Sequence, residues 1–139
     1  MEIELVLSQN GQPLMVITEY MIQSIDFITA KTHDYNRQTR DIAMRLQFEN
    51  STVWFRKPNN ESIDVKIDEV DSIRNLIIFA ISSYKKQFAF FDGDVKIVNE
   101  FGQVANFNYK NLFVLNYSEE YTKNSRITFI NILMREKAR

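Results

Sequence analysis

The only imidazole in the chain is His33, beside Asp34. A histidine next to a carboxylate is the minimum equipment for acid–base chemistry. Neighbours along a chain rarely aim at one substrate, however, and no Ser, Thr or Lys is evidently positioned as a nucleophile. His33 therefore reads as a solvated loop residue. Asp92-Gly93-Asp94 could open a calcium loop, but Val95, Ile97 and Val98 stand where further oxygen ligands are required. It reads as a turn between strands. Asp64, Asp68, Glu69 and Asp71 could gather round a cation, yet most of them also lie where a helix start favours negative charge. Cysteine is absent, which removes disulfides, thiolate zinc sites and cysteine nucleophiles. The expectation is a protein with no enzymatic activity, no metal and no cofactor.

Binding chemistry is better supplied. Lys31, Arg37 and Arg40 flank Tyr35 in the polar stretch Thr29–Arg40, a combination that could touch phosphates and stack a base. A basic trio on a loop more often contacts solvent or another protein. Long loops in compact domains are frequently functional. Phe79 is a second candidate, an aromatic on an otherwise polar helical stripe and so a fair interface anchor.

The whole composition points the same way. The chain has 139 residues, enough for one domain over 1–139 and one core. With 17 basic and 18 acidic residues the net charge is −1, without the basic excess of a nucleic-acid binder. The opening Met1-Glu2-Ile3-Glu4 lacks the basic and then apolar run of a secretory signal. The stretch from Leu14 to Ile28 is too interrupted by polar residues to cross a bilayer. A cytoplasmic, soluble chain without membrane contact is expected.

The elements that must position these residues are mostly strands. Ile3, Leu5 and Leu7 alternate with Glu2 and Glu4, and Asn10-Gly11 is a strong hairpin signal. A second strand is expected from about Leu14 to Ile25 or beyond. After the loop Thr29–Arg40, alternation resumes through Ile42, Met44, Leu46 and Phe48. Val53-Trp54-Phe55 continues it or forms a neighbour, and Ile63, Val65 and Ile67 make another strand. From about 68 to 86 the period changes: Val70, Ile73, Ile77, Ala80, Ile81 and Tyr84 share one helical face. Strands return at Phe88–Phe91, Val95–Ile97, Ala105–Tyr109, Leu112–Tyr117 and Ile127–Met134. The fold class is mainly β, a small antiparallel barrel or sandwich of about eight or nine strands with one flanking helix. The last strand is apolar on both faces, which a small barrel rarely covers with its own chain. Obligate partner subunits would cover it.

One stretch is specific. Phe107-Asn108-Tyr109-Lys110-Asn111-Leu112-Phe113-Val114-Leu115-Asn116-Tyr117-Ser118-Glu119-Glu120-Tyr121 resembles the F-x-N-A-Y-V-V-x-Y-S-E-x-F segment of the Hcp (TssD) tube proteins of type VI secretion systems, in flavour the Bacteroidetes branch. Asn10-Gly11 followed by Tyr20, Gln23 and Asp26 is similar to the family's D-G-K…Y-x-x-x-Q-x-x-D. The loop Thr29–Arg40 differs from the family's Gly-Lys-Pro-Ser opening. The resemblance implies a subunit that closes into a hexameric ring. Such rings stack into a tube inside a contractile sheath, and the tube is expelled with effector cargo. It implies self, sheath, baseplate or spike, and effector proteins as partners, and release through the apparatus without a signal peptide. It assigns ring stacking to the loop bearing Lys31, Tyr35, Arg37 and Arg40, and subunit-edge structure to Tyr117 and Glu119. Two other readings stay open: a phage-like tail-tube relative, and a monomeric barrel that holds a small apolar ligand.

Overall fold

The computed structural model describes residues 1–31, 38–49, 75 and 90–137. Seven strands account for nearly all of them: β1 (Glu2–Gln9), β2 (Gln12–Thr18), β3 (Ile22–Lys31), β4 (Gln38–Glu49), β5 (Phe91–Val98), β6 (Val104–Tyr121) and β7 (Ile127–Glu136). They form one antiparallel sheet in the order β2-β1-β5-β6-β7-β4-β3. The mainly β class is as the alternating pattern requires. The helix expected at 68–86 lies outside the described residues, Asn75 apart, as do Phe79, Phe88 and the strands expected at 53–55 and 63–67.

The period-two segments behave as written. β1 buries Ile3, Leu5 and Leu7 and exposes Glu2 and Glu4. Asn10 (φ 53°) and Gly11 (φ 77°) make the β1–β2 turn, where both positive φ values match the strand twist. β4 buries Ile42, Met44, Leu46 and Phe48, and β7 buries Thr128, Ile130, Ile132 and Met134. Apart from Thr128, the side chains of β4 and β7 just named form one core with Met15, Ile17, Val95, Tyr109 and Leu112.

Three boundaries differ from the sequence reading. The long second strand breaks at Glu19–Met21, where Met21 N–H donates to the Thr18 carbonyl (3.1 Å). The chain then crosses from one edge of the sheet to the other, since β2 and β3 are its two outermost strands. No Gly or Pro marks this turn, so the apolar run hid it. The polar loop is also shorter than Thr29–Arg40: strand pairing carries Thr29–Lys31 and Gln38–Arg40. Asp92-Gly93-Asp94 is no turn. It lies inside β5, paired with β1 through Ser8, Leu7 and Val6.

A closed barrel is not formed by ladders among the described residues, because no pairing joins β2 to β3. The sheet nevertheless curls back on itself. Phe27 of β3 stacks on Phe107 and Tyr109 of β6, with ring centroids 5.6 and 6.4 Å apart. β7 and β4 stand between those strands in sheet order.

β6 makes the curl possible. Its early part pairs with β5 and its late part with β7. At the junction Lys110 and Asn111 both stand opposite Asp92, an extra residue that bends the strand. Asn111 takes a left-handed φ of 53°, which Asn tolerates better than most residues. Three of the disturbed backbone groups find partners. Asn111 N–H donates to Asp92 Oδ1 (3.2 Å), Lys110 N–H to Glu136 Oε2 (2.7 Å), and Lys137 N–H to the Asn111 carbonyl (3.0 Å). Gly93 leaves space beside the bend: a Cβ there would lie 2.6 Å from Leu112 Cδ1.

Candidate functional site

Among the described residues, the bend in β6 leaves a four-stranded unit with two open flanks. In the order late β6, β7, β4, β3, each strand runs antiparallel to the next. Among the described residues, no strand pairs with the outer side of β3, and none with the side of 113–121 that faces away from β7. An edge strand presents alternate N–H and C=O groups ready to pair with another chain. Exposed apolar side chains accompany both flanks: Ile28 on β3, and Leu115 and Tyr121 on late β6.

The outward face of this unit mixes polar and apolar side chains and is stitched together by hydrogen bonds. It carries an open cleft of about 430 Å³ lined by Ser24, Asp26, Ala43, Ser118, Asn131 and Leu133, among others. Arg45 holds its four strands in register. Its Nε donates to Gln23 Oε1 (2.6 Å), its Nη1 to Asn131 Oδ1 (2.9 Å) and its Nη2 to Glu120 Oε2 (2.8 Å). The guanidinium also lies 4.2 Å from the Phe129 ring centroid. The hydrogen bond to Glu120 raises the Arg45 pKa and lowers that of Glu120. Phe129 is thereby half-covered by the protein's own arginine. The expected apolar-on-both-faces strand is in fact one buried face and one partly shielded face.

Tyr117 and Glu119 meet at the far part of β6. The Tyr117 hydroxyl donates to Glu119 Oε1 (2.5 Å) and the Tyr121 hydroxyl to Oε2 (2.6 Å). All three side chains project from one face of the strand at spacing two. Tyr117 also packs against the core. Burial, then the Glu119 carboxylate, raises both phenol pKa values, that of Tyr121 to about 12. The Tyr-Ser-Glu-Glu-Tyr stretch thus makes a rigid clamp beside an open edge, without nucleophile or base geometry.

Arg40 is engaged within its own chain. Its guanidinium lies 4.2 Å from the Tyr109 ring centroid, donates to the Asn108 carbonyl (3.1 Å) and pairs with Glu136 (3.5 Å). Lys31 ends β3, while Tyr35, Arg37, His33 and Phe79 fall outside the described residues. Among the described residues no group of acids or histidines could hold a metal ion. Arg45 and Glu120 were missed in the sequence because the pair is 75 residues apart. Phe101 and Tyr20 were missed too, although isolated aromatics in turn segments are a readable signal; they are 86% and 81% exposed.

No protein-family model and no curated protein matches the chain significantly. Among solved structures, that of the Hcp1 protein from E. coli EAEC 042 pathovar, carrying two tryptophan substitutions, is similar over 97% of this chain and 90% of that chain. The TM-score is 0.48 and the sequence identity 7%, values too low to establish a common fold.

Proposed function

We propose that the chain is a structural subunit that closes into rings through the two open flanks of its four-stranded unit, as a tube protein of a type VI-like contractile injection apparatus. The observation that carries this reading is the parity of the unit. Its four strands alternate in direction, so late β6 and β3 point opposite ways. Rotation about a ring axis preserves strand direction. The β3 of one copy beside late β6 of the next is therefore antiparallel, and the ladder continues without a break. A head-to-tail contact of this kind closes into a ring when its rotation divides a full turn. The Tyr-Ser-Glu motif that resembles the Hcp tube family lies on one of the two joining strands.

In such a ring the hydrogen-bonded Arg45 face lines the inside and meets passenger proteins. Among the described residues Leu5, Ile17, Ile42, Leu46, Leu112 and Ile130 are fully buried in one core. The test is light scattering behind size exclusion, with negative-stain images of the same peak. Six copies of a 16.5 kDa chain give about 99 kDa with a central hole. A monomer at every concentration and salt tested overturns the reading.

A further inference from the structure

The two ends of the molecule differ in chemistry, one rich in acids and the other carrying three cations beside Asp92 and Glu136. Tyr20 and Val98 line one cleft of about 160 Å³, so the Glu19–Met21 turn and the loop following β5 sit side by side. Glu2, Glu4 and Glu19 line it as well, with Lys96. Glu100 adds a further acid next to Phe101. Both aromatic rings project into solvent. Phe101 does so from a loop fixed by Asn99, whose Oδ1 accepts from Phe101 N–H and Gln103 N–H, both at 2.9 Å. Asn99 Nδ2 donates to Gln103 Oε1 (2.8 Å), and Gly102 N–H to the Asn99 carbonyl (3.1 Å). A nearly fully exposed phenylalanine on a preorganised loop is what an interface anchor requires.

The other end lies about 20 Å away, the rise of the six steps from Val104 to Lys110 along β6. There Arg40, Lys110 and Lys137 gather round Glu136 and the β6 bend. Lys110 approaches Asp92 only at 4.0 Å with its side chain two-thirds exposed, and Lys137 lies 4.9 Å from the Phe90 ring centroid.

From these placements we infer that the acidic, aromatic end bearing Tyr20 and Phe101 docks on the basic end bearing Arg40, Lys110 and Lys137 of a second copy. Cations facing carboxylates and aromatic rings give this contact both steering and anchorage. The inference rests on the ring reading: with the flanks used sideways, the two ends face along the axis, and the docking stacks one ring on another. It places the stacking anchor on Phe101 rather than on the loop bearing Tyr35 and Arg37.

The test separates the two levels. Ring mass comes from light scattering and stack length from negative stain, for wild type, Phe101→Ser, Phe101→Trp and the double variant Lys110→Glu/Lys137→Glu. The expected result is unchanged ring mass throughout. Phe101→Ser and the double variant need about tenfold or more higher concentration to stack, while Phe101→Trp stacks normally. A second double variant, Glu2→Lys/Glu100→Lys, also fails alone, and mixing it with Lys110→Glu/Lys137→Glu restores alternating stacks. Rings that never stack, or that stack equally well in Phe101→Ser and the charge variants, overturn the docking and leave the ring reading intact. A chain that remains monomeric overturns both.

Discussion

Glu119 shows how much one side chain organises. Its two oxygens take hydroxyls from Tyr117 and Tyr121, and both phenols are held in the protonated form. A raised folded pKa means that folding favours the proton. The clamp's contribution is therefore complete below the ordinary phenol value of 10.0 and is lost as pH rises, for Tyr121 through about 12. An ultraviolet titration should find Tyr117 and Tyr121 ionising above the ordinary phenol value. Glu119→Ala should lower both phenol pKa values only partly, because burial is the first cause for each. Asp41 offers a second residue-scale test. It is 5% exposed and takes a bidentate pair from Arg135, two bonds of 2.9 Å, across paired positions of β4 and β7. Arg135→Met strands that carboxylate. Chemical denaturation should show a loss of about 2–3 kcal/mol, below the fully buried range because Arg135 reaches solvent.

At the scale of elements, the β6 bend is the part most sensitive to substitution. Gly93→Ala drives a Cβ to 2.6 Å from the Cδ1 of Leu112, a fully buried side chain whose tip must shift to make room. Overpacking of this kind costs about 1–3 kcal/mol. Leu112→Val should recover part of it, and a double-mutant cycle should report the coupling. The open flanks predict a different outcome: proline placed in β3 at a position whose N–H faces outward should leave the fold in place and abolish ring mass. Much of this architecture was legible in the sequence. Period-two alternation located β1, β4 and β7, and Asn10-Gly11 fixed the first turn. What escaped was whatever depends on contacts distant in sequence. Tyr20 sits in a turn without Gly or Pro, Gly93 looks like a turn residue until Leu112 is beside it, and Asn111 hides a bend inside an apolar run. Of the candidate site, Tyr117 and Glu119 were readable through the motif, whereas Arg45 and Phe101 acquire meaning only from their surroundings.

At the scale of the molecule, one sheet serves two purposes. Its first half, β2-β1-β5 with early β6, completes the core, and its second half offers two flanks to copies of itself. A natural protein manages exposed edges with charge, bulges or cover. Here Asp26, Arg45 and Glu120 place charge on the face of the second half, and cover for the edges would come from neighbours. Raising ionic strength should therefore separate the contacts. Axial docking between charged ends weakens at about 1 M salt, where screening acts within 3 Å, whereas backbone ladders between flanks persist. Shorter stacks of unchanged ring diameter in negative stain are the expected sign.

The shared strand has one more consequence, visible in time rather than in space. Among the described residues β6 has a ladder partner only in β5 over 104–110, and only in β7 over 113–121. In a lone subunit its amides should exchange with deuterium in an every-other-residue rhythm, slow where a ladder holds the N–H and fast where it faces outward. Assembly should silence that rhythm in 113–121 and leave it beating in 104–110, so that one strand carries both the signal of ring closure and its internal reference.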